Sequence, residues 1–387
     1  MSVCVENQRD LARLAPALRA LQMRDGRYPR LRFYADWAAP DSAGLASLDL
    51  NDASLDALEA KLGGRSCDAV RVAGRGSFLI ANDTAALEAL AAASGAPAAD
   101  APEGGKIRAF ASYRRMYEKV VIVTGSAQGF GEGIARELAN EGAYVVIADM
   151  NYPLAQTVAA SINQSHGRDS ALALEVNVAD EASVEAMVQE TVLHYGGLDA
   201  LINNAGVLRA GGLEEMDVKS FEFVTKINYE AYFICTKYAT RPMKIQNRYN
   251  KTGMADVIQV NSKSGLEGSN RNFAYAGGKF GGIGLTQSFA KELVTDRIKC
   301  NAVCPGNFYE GPLWSDPEKG LFVQYLKAGK VAGAKTVQDV YEHYISLVPM
   351  RKGCSPLDVA RAIFYLIEQQ NETGQALPVT GGQTMLN

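Results

Sequence analysis

Histidine is scarce in this chain, with three residues in 387, and its six cysteines lack the paired spacing of a zinc site or a disulfide framework. We therefore expect no metal site. No apolar run approaches the roughly 18 residues that a membrane-spanning helix needs, and the first residues lack the apolar region of a signal peptide. The formal net charge is only −4, which favours neither nucleic acid nor an anionic membrane as a partner. The sequence predicts a cytoplasmic protein that acts on a small molecule.

The first 95 residues have mixed, weak patterns. Apolar residues recur at helical spacing over residues 7–21, 55–62 and 84–93, and strand-like runs occupy residues 31–37, 69–72 and 77–80. This order predicts a small α+β extension, for which the sequence gives no active site. An interaction or oligomer-stabilising role is favoured, with a regulatory ligand site as the alternative. Residues 96–114 include a stretch rich in Ala, Pro and Gly, which is typical of a linker.

Residues 115–387 follow a different pattern. Continuous apolar runs alternate with segments of helical length, and these runs lie at residues 119–124, 144–148, 171–176, 200–202, 257–260 and 299–303. Strands that are apolar throughout, rather than alternating, are typical of a parallel sheet covered by helices on both faces. The sequence therefore predicts an α/β fold with a Rossmann-type doubly wound parallel sheet over residues 115–387.

A glycine-rich loop follows the first of these strands. The segment TGSAQGFGEG places Gly125, Gly129 and Gly131 between a strand and a helix, where backbone amides can approach a pyrophosphate. Asp149 ends the next strand, and its carboxylate can accept hydrogen bonds from the adenine ribose hydroxyls while repelling a 2′-phosphate. Neither Ser126 nor Met150 supplies a balancing cation. The sequence therefore predicts NAD rather than NADP as the cofactor.

A tyrosine and a lysine share one face of a later helix. Tyr275 and Lys279 are spaced i, i+4, and Ser262 lies thirteen residues before the tyrosine, after an apolar strand. An ordinary tyrosine has a pKa of about 10, too high for a base near neutrality. A nearby ammonium, together with the positive ring of an oxidised nicotinamide, would lower that pKa. Ser262 could polarise the substrate oxygen by hydrogen bonding.

In combination these motifs resemble the short-chain dehydrogenase/reductase family. The matching segments are TGSAQGFG, Asp149, NNAG at 203–206, Asn228, YAGGK at 275–279 and CPG at 304–306. The resemblance implies that Tyr275 is the acid/base, that Lys279 binds the nicotinamide ribose, that Ser262 orients the substrate and that Asn228 holds a water of a proton relay. It also implies a homotetramer. The residues it implies for cofactor binding are Gly125, Ser126, Gln128, Gly129, Phe130, Gly131, Asp149, Met150, Asn177, Val178, Asn204, Ala205, Gly206, Tyr275, Lys279, Pro305, Gly306 and Phe308.

The sequence departs from the family pattern in three places. Asn177 stands where the family usually has aspartate beside the adenine. The residues after Gly306 read NFYEGP, without the threonine that often meets the nicotinamide carboxamide, so that contact is expected to be made by backbone alone. The segment between Asn228 and Ser262 is several residues long for the family, and we expect residues 247–256 to form an extended surface loop.

Several segments resemble the sorbitol-6-phosphate 2-dehydrogenase branch of the family: IQVNSKSG, AYAGGKFGGIGLTQS, VPMRKGC and TGQALPVTGGQTM. The resemblance implies interconversion of D-sorbitol 6-phosphate and D-fructose 6-phosphate with NAD. Lys263, Arg209 and Arg271 flank predicted active-site segments and are candidate ligands of the substrate phosphate. Residues 309–347 are expected to form a mobile helical lid. Two alternatives remain open, a dehydrogenase of a non-phosphorylated polyol and a non-catalytic NAD-binding sensor or scaffold.

Overall fold

The structure, a computed structural model, describes residues 2–23, 27–41, 44–97, 114–166, 169–327 and 329–385. Its first part contains a four-stranded sheet of order β1-β4-β3-β2, in which β2 runs parallel to β3 and the other neighbours are antiparallel. The elements are α1 (Ser2–Leu21), β1 (Arg30–Ala35), β2 (Ser47–Leu50), α2 (Leu55–Leu62), β3 (Ala69–Val72), β4 (Gly76–Ala81) and α3 (Thr84–Ser94). The helices and strands predicted for this part are present. The unpredicted β2 has four residues, too few for its pattern to stand out.

The larger part contains a seven-stranded sheet of order β11-β10-β9-β8-β5-β6-β7, parallel throughout. Its strands are β5 (Val120–Thr124), β6 (Tyr144–Asp149), β7 (Ala171–Glu175), β8 (Ala200–Asn203), β9 (Ala255–Val260), β10 (Ile298–Pro305) and β11 (Ala376–Val379). Its helices are α4 (Gly129–Asn140), α5 (Tyr152–His166), α6 (Glu181–Tyr195), α7 (Val218–Thr225), α8 (Ala231–Tyr249), α9 (Phe273–Leu293), α10 (Pro312–Ser315), α11 (Leu321–Lys327), α12 (Val337–Ser346) and α13 (Pro356–Glu368). The predicted doubly wound α/β fold is confirmed.

Helices cover both faces of the parallel sheet. Buried residues of α4, α5 and α13 pack on one face, and those of α6, α8 and α9 pack on the other. Every residue of β5, β9 and β10 is buried, which is why these strands are apolar along most of their length. The unpredicted β11 is an edge strand that contains Pro378, a residue that cannot donate a ladder hydrogen bond. Within the described ranges, no helix combines the length and apolar character needed to cross a bilayer.

The loop expected over residues 247–256 is shorter in the structure and is confined to residues 250–254. Helix α8 continues to Tyr249, and β9 begins at Ala255. Asn247 is buried, and its Nδ2 donates to the carbonyl oxygens of Asp296 and Arg297. Asn250 is also buried, and its Oδ1 accepts from the backbone amides of the turn that follows. These residues therefore extend α8 and form a tight turn before β9. The side-chain amides of Asn247 and Asn250 hydrogen-bond to the neighbouring backbone groups.

The N-terminal unit is joined to the parallel sheet through a buried arginine. Helix α1 lies against α6 and α8, and a single apolar core includes residues of both parts. Arg19 of α1 is 2% exposed and donates to Asp199 Oδ2 at 2.9 Å, Gln246 Oε1 at 3.0 Å and the Glu118 carbonyl at 3.1 Å. Burial acts to raise the pKa of Asp199, but the Arg19 charge and the hydrogen bonds it receives outweigh burial and lower it.

A second set of contacts joins β1 to the edge of the sheet. The Arg30 guanidinium lies 3.8 Å from the ring centre of Tyr144 and 4.8 Å from that of Tyr195. Arg32 and His194 both contact the Asp169 carboxylate, the latter at 2.8 Å.

Most of the linker predicted over residues 96–114 falls on residues 98–113, outside the described part of the chain.

Candidate active site

The glycine loop joins β5 to α4 at the carboxyl edge of the sheet. Gly125 and Gly129 have φ of 63° and 64°, a region that glycine adopts without strain. Gly131 is needed for another reason, since a Cβ there would overlap the Gly125 carbonyl oxygen and the Asn204 amide. Gln128 precedes α4 and makes no side-chain cap, so the first amides of the helix face the loop without a capping group. This arrangement fits the pyrophosphate of a dinucleotide.

The loop is held in place by the segment after β8. Thr124 Oγ1 accepts from the backbone amides of Asn204 and Ala205, each at 3.1 Å. Asn204 Nδ2 donates to the carbonyl oxygens of Thr124 and Gly125, each at 2.9 Å. A Cβ on Gly125 would lie 2.8 Å from the Ala205 Cα, so the two segments are in close contact. The predicted cofactor residues on both segments therefore lie together.

Asp149 lies at the end of β6, directly beside the glycine loop. Its Oδ2 accepts from the Ala127 amide at 3.0 Å, and its Oδ1 accepts from the Asn151 amide at 2.9 Å. Ser126 is buried and bonds the backbone of Val123 and Ala148, so it supports the loop from behind. The side chain of Met150 is 69% exposed. The carboxylate is therefore fixed against the glycine loop, as its predicted role in binding the adenosine ribose requires.

Ser262 and Tyr275 are brought together across a short turn. Ser262 follows β9 and caps a 3₁₀ turn, its Oγ accepting from the Ser264 amide at 3.1 Å. Burial raises the pKa of Tyr275, and the interaction with the Ser262 side chain acts in the opposite direction. The groups of the chain alone therefore do not lower this pKa, and the predicted lowering depends on a cationic nicotinamide as well as on Lys279.

Lys279 lies one turn after Tyr275 on α9, with its Nζ 5.6 Å from the tyrosine ring centre. The side chain is 4% exposed, and Nζ donates to the Val260 carbonyl at 2.9 Å. Burial lowers the pKa of Lys279 to about 8. Asn261, which sequence reasoning missed, donates to the Lys279 carbonyl at 2.9 Å and accepts from the Ser262 amide at 2.8 Å. It therefore ties the serine to the helix that carries the other two residues.

Asn228 occupies a π-helical turn, Lys226–Glu230, between α7 and α8. Such turns are rare and occur frequently at functional sites. The side chain is 2% exposed; Oδ1 accepts from the Val207 amide at 3.0 Å, and Nδ2 donates to the Val207 carbonyl at 2.7 Å. A Cβ on Gly206 would lie 2.9 Å from Asn228 Oδ1 and 3.7 Å from Lys279 Nζ, so these groups share one region.

A small cavity of about 10 Å³ lies between Asn228 and Lys279. Thr124, Asn203 and Gln259 also line it, and Asn203 Nδ2 is buried without a hydrogen-bond partner among the described residues. A volume near 10–15 Å³ with several polar partners fits one water molecule. Asn203 lies in the NNAG motif and Gln259 in IQVNSKSG, but neither motif predicts this cavity, because its lining depends on how neighbouring strands are paired.

Comparisons with known proteins agree with this geometry. The sequence profile of the short chain dehydrogenase family matches residues 119–316. Sorbitol-6-phosphate 2-dehydrogenase of Escherichia coli (strain K12) is 33% identical over 272 residues, covering 69% of this chain and 99% of that protein. This chain belongs to the short-chain dehydrogenase family.

Solved structures of the family are similar as well. The crystal structure of sorbitol-6-phosphate 2-dehydrogenase from Erwinia amylovora matches with a TM-score of 0.61 and 33% identity, covering 69% of this chain and 100% of the other. That of 3-ketoacyl-(acyl-carrier-protein) reductase from Brucella melitensis, complexed with NADH, matches with a TM-score of 0.57 and 26% identity, covering 70% and 100%. The chain is therefore an oxidoreductase of a family that binds a nicotinamide cofactor.

The segment after β10 approaches the glycine loop from the other side. Gly306 donates its amide to the Val379 carbonyl at 2.9 Å, which fixes the chain after Pro305. Phe308 lies in the segment where the family often has a threonine. Its ring centre is 5.1 Å from that of Phe130. A Cβ on Gly311 would overlap the Phe308 ring, so this glycine makes room for the aromatic side chain. The two phenylalanines therefore join the start of α4 to the segment that directly precedes residues 309–347.

Asn177 and Val178 follow β7, and their contact with the adenine stays a prediction. Val178 is buried, whereas Asn177 is exposed. Asn177 Oδ1 accepts from the Ala179 amide at 3.1 Å, so that oxygen stabilises its own turn. The Asn177 Nδ2 group is a hydrogen-bond donor, whereas an aspartate carboxylate at this position would act only as an acceptor.

The three candidate phosphate ligands lie in different surroundings. Lys263 pairs with Glu267 at 3.1 Å, one helical turn away. Arg209 donates to Ser220 Oγ at 3.0 Å and lies 4.4 Å from the Phe223 ring centre. Arg271 pairs with the Glu215 carboxylate. Each guanidinium or ammonium therefore has a protein partner, which sequence reasoning did not foresee.

Among the described residues of 309–347 there are three helices, as the expected helical lid requires, and the mobility of this region stays a prediction. Their aromatic side chains pack together around Trp314, whose ring centre lies 4.9 Å from that of Tyr309 and 5.1 Å from that of Phe322. The aromatic cluster formed by these side chains comprises Tyr309, Trp314, Phe322, Tyr325, Tyr341 and Tyr344. This region therefore has a small apolar core of its own.

Proposed function

We propose that the protein is an NAD-dependent oxidoreductase that interconverts D-sorbitol 6-phosphate and D-fructose 6-phosphate. The observation that carries this proposal is that Asn261 ties Ser262 to the helix that bears Tyr275 and the buried Lys279 one turn later. A polyol substrate class is further supported by the 33% identity to sorbitol-6-phosphate 2-dehydrogenase over nearly its whole length. An acid/base tyrosine has no purpose in a sensor that only binds the cofactor, which disfavours that alternative.

The residues of the chain divide the chemistry among them. Ser262 Oγ holds the substrate oxygen by a hydrogen bond, and Tyr275 Oη takes the proton of the alcohol or returns it to the ketone. Bound NAD supplies the hydride acceptor and, in its oxidised form, a positive ring near the phenol. Lys279 binds the nicotinamide ribose, and its ammonium favours the phenolate. Asn228, with the cavity beside it, connects Lys279 to solvent through a water-mediated proton relay.

The glycine loop and the segment after β8 bind the dinucleotide. Gly125, Gly129 and Gly131 let the backbone approach the pyrophosphate, and the amides of α4 stabilise its charge. Asp149 accepts from the adenosine ribose hydroxyls and repels a 2′-phosphate, which supports NAD over NADP. A homotetramer, implied by the family resemblance, completes the proposal.

The reaction is tested by a substrate panel read by NADH absorbance. D-sorbitol 6-phosphate with NAD is expected to give NADH, and D-fructose 6-phosphate with NADH is expected to consume it. Free sorbitol, ribitol and arabinitol serve as matched substrates without the phosphate. Faster turnover of a free polyol would replace the proposed substrate by a non-phosphorylated one. Cofactor binding without turnover of any polyol would favour a sensor or scaffold.

Cofactor choice is tested at Asp149. Asp149→Asn is expected to lower the NAD-to-NADP ratio of kcat/KM by about fivefold, because it removes a charge repulsion of on the order of 1 kcal/mol. The amide oxygen can still accept from the Ala127 amide, so the loop keeps its hydrogen bond. Titration of the free enzyme with NADP provides a second readout. An unchanged ratio and unchanged NADP affinity would rule out the proposed role of Asp149.

A further inference from the structure

The segment after β10 passes between the catalytic residues and the glycine loop. The Asn261 amide donates to the Val303 carbonyl at 2.7 Å, so the end of β10 lies beside the segment that carries the catalytic serine. Further along the chain, the Phe308 ring lies against that of Phe130 at the start of α4. A dinucleotide whose pyrophosphate is bound at the glycine loop and whose nicotinamide faces Tyr275 would therefore pass this segment.

Asn307, in the middle of this segment, is held by both its backbone and its side chain. Its carbonyl accepts from the Cys354 amide at 2.8 Å, and the preceding Gly306 amide donates to the Val379 carbonyl at 2.9 Å. Its Nδ2 donates to the Tyr309 hydroxyl at 3.0 Å. The position of Asn307 is therefore fixed relative to the end of the sheet.

The Tyr309 hydroxyl determines which way the Asn307 amide faces. Tyr309 is 1% exposed, and its hydroxyl donates to the Tyr344 carbonyl of α12 at 3.1 Å. Burial raises the pKa of Tyr309, whereas the Asn307 and Gln383 side chains act to lower it, so the phenol keeps its hydrogen near neutral pH. A carbonyl oxygen can only accept, so this single hydrogen is used there and the phenol oxygen can only accept from Asn307. Nδ2 must therefore face the tyrosine, and Oδ1 must face away from it.

The Asn307 Oδ1 atom is consequently an open acceptor. No described residue donates to it, and the Asn307 side chain is only half-buried. Residues 307–312 lack the threonine that the family often places near the nicotinamide carboxamide. A carboxamide presents two N–H donors, which suit an amide oxygen held in a fixed orientation.

We propose that Asn307 Oδ1 accepts a hydrogen bond from the nicotinamide carboxamide, alongside the backbone contact expected there, and that Tyr309 is the positioning residue that orients the amide. This inference rests on the proposed cofactor site, to which it adds a residue. It gives the Tyr309 hydroxyl a role besides the packing of its ring in the aromatic cluster. Through the hydrogen bonds of Tyr309, the carboxamide contact is also joined to α12 of the lid region.

Calorimetric titration of the purified full-length protein with two dinucleotides tests this contact. NAD carries the carboxamide, whereas 3-acetylpyridine adenine dinucleotide has a methyl ketone in its place and no N–H to donate. Asn307→Ala is expected to raise Kd for NAD about fivefold, the effect of losing one hydrogen bond, and to leave Kd for the analogue nearly unchanged. A loss of structure alone would instead weaken both dinucleotides alike.

Tyr309→Phe tests the positioning role, because it keeps the ring in the aromatic cluster and frees the Asn307 amide to rotate. It is expected to raise Kd for NAD by about twofold and to leave the analogue unchanged. Tyr341→Phe is the matched control, since it removes a hydroxyl from a ring whose centre lies 6.1 Å from that of Tyr309. Both Kd values of this control are expected to equal those of the wild type.

Equal weakening of NAD and the analogue by Asn307→Ala, or weakening of neither, would overturn the contact. If Asn307→Ala does not fold, Tyr309→Phe decides by the same comparison, and an unchanged ratio of the two Kd values overturns the proposal. The titrations use no polyol, so absence of turnover in the substrate panel would refute the proposed reaction and leave their result intact. If the wild type prefers NADP, the same titrations with NADP and its 3-acetylpyridine analogue test the contact, because the carboxamide is common to both cofactors. Failure of the wild type to bind any of these dinucleotides would overturn the cofactor site and this contact together.

Discussion

Replacing Tyr275 by phenylalanine is expected to lower kcat at least about 100-fold, because general acid/base catalysis contributes roughly 10² to 10⁴ in rate. The variant loses the hydroxyl that exchanges a proton with the substrate, but it keeps the ring that packs beside Lys279. NAD affinity, measured by calorimetric titration, is therefore expected to stay nearly unchanged. The loss should appear in kcat rather than in cofactor binding.

Tyr365→Phe is the matched control, since Tyr365 lies half exposed on α13 and is not part of the proposed site. It is expected to retain the turnover of the wild type. Near-native turnover of Tyr275→Phe would show that another group carries the proton. Loss of NAD binding in that variant would instead assign Tyr275 a mainly structural role.

Replacing Arg19 by methionine is expected to lower the free energy of unfolding by about 3–5 kcal/mol, the usual cost of leaving one partner of a buried ion pair without the other. Arg19 is the cation that contacts the buried Asp199 carboxylate, at 2.9 Å. Gln246 and the Val120 amide continue to donate to Asp199 without carrying charge, and Lys119 attracts the carboxylate but forms no ion pair with it among the described residues. Urea denaturation followed by circular dichroism measures the effect.

Arg9→Met provides the control on the same helix. Arg9 pairs with Glu185 at 2.6 Å, and its side chain is 52% exposed, so its loss should cost at most about 1 kcal/mol. Adding Asp199→Asn to Arg19→Met is expected to restore part of the stability, because the uncompensated charge is removed. If Arg19→Met is no more destabilising than Arg9→Met, the N-terminal unit does not stabilise the sheet through this pair.

These expectations bear on the role of the first 95 residues. The sequence predicted a small extension before a linker, and the interaction role that it favoured remains a prediction. The structure places Arg19 and Arg30 in the boundary between the four-stranded unit and the parallel sheet. We infer that the N-terminal unit stabilises the dehydrogenase fold from within the same chain.

The sequence predicted those parts of the site whose function depends on residues close together along the chain. The glycine loop is continuous in sequence, and its glycines are needed for local reasons: positive φ at Gly125 and Gly129 and close backbone approach at Gly131. Ser262 and Tyr275 are separated by one turn and the start of a helix. The strands were predictable because burial on both faces makes them apolar throughout.

The parts that sequence missed depend on contacts between distant segments. Arg19 and Asp199 are 180 residues apart, and neither has a local pattern that marks a buried ion pair. Arg271 and Glu215 are 56 residues apart, so the partner of a candidate phosphate ligand could not be foreseen. The last turn of α8 was mistaken for a loop because its polar side chains satisfy buried backbone groups rather than solvent.

A crystal structure with NAD and D-fructose 6-phosphate would test the proposed chemistry most directly. The account predicts that the Tyr275 hydroxyl and Ser262 Oγ both lie within hydrogen-bond distance, about 2.6–3.2 Å, of the C2 oxygen of the ligand. C2 of the ligand should face C4 of the nicotinamide. A nicotinamide ring bound away from Tyr275, or a ligand oxygen held by other residues, would contradict the account.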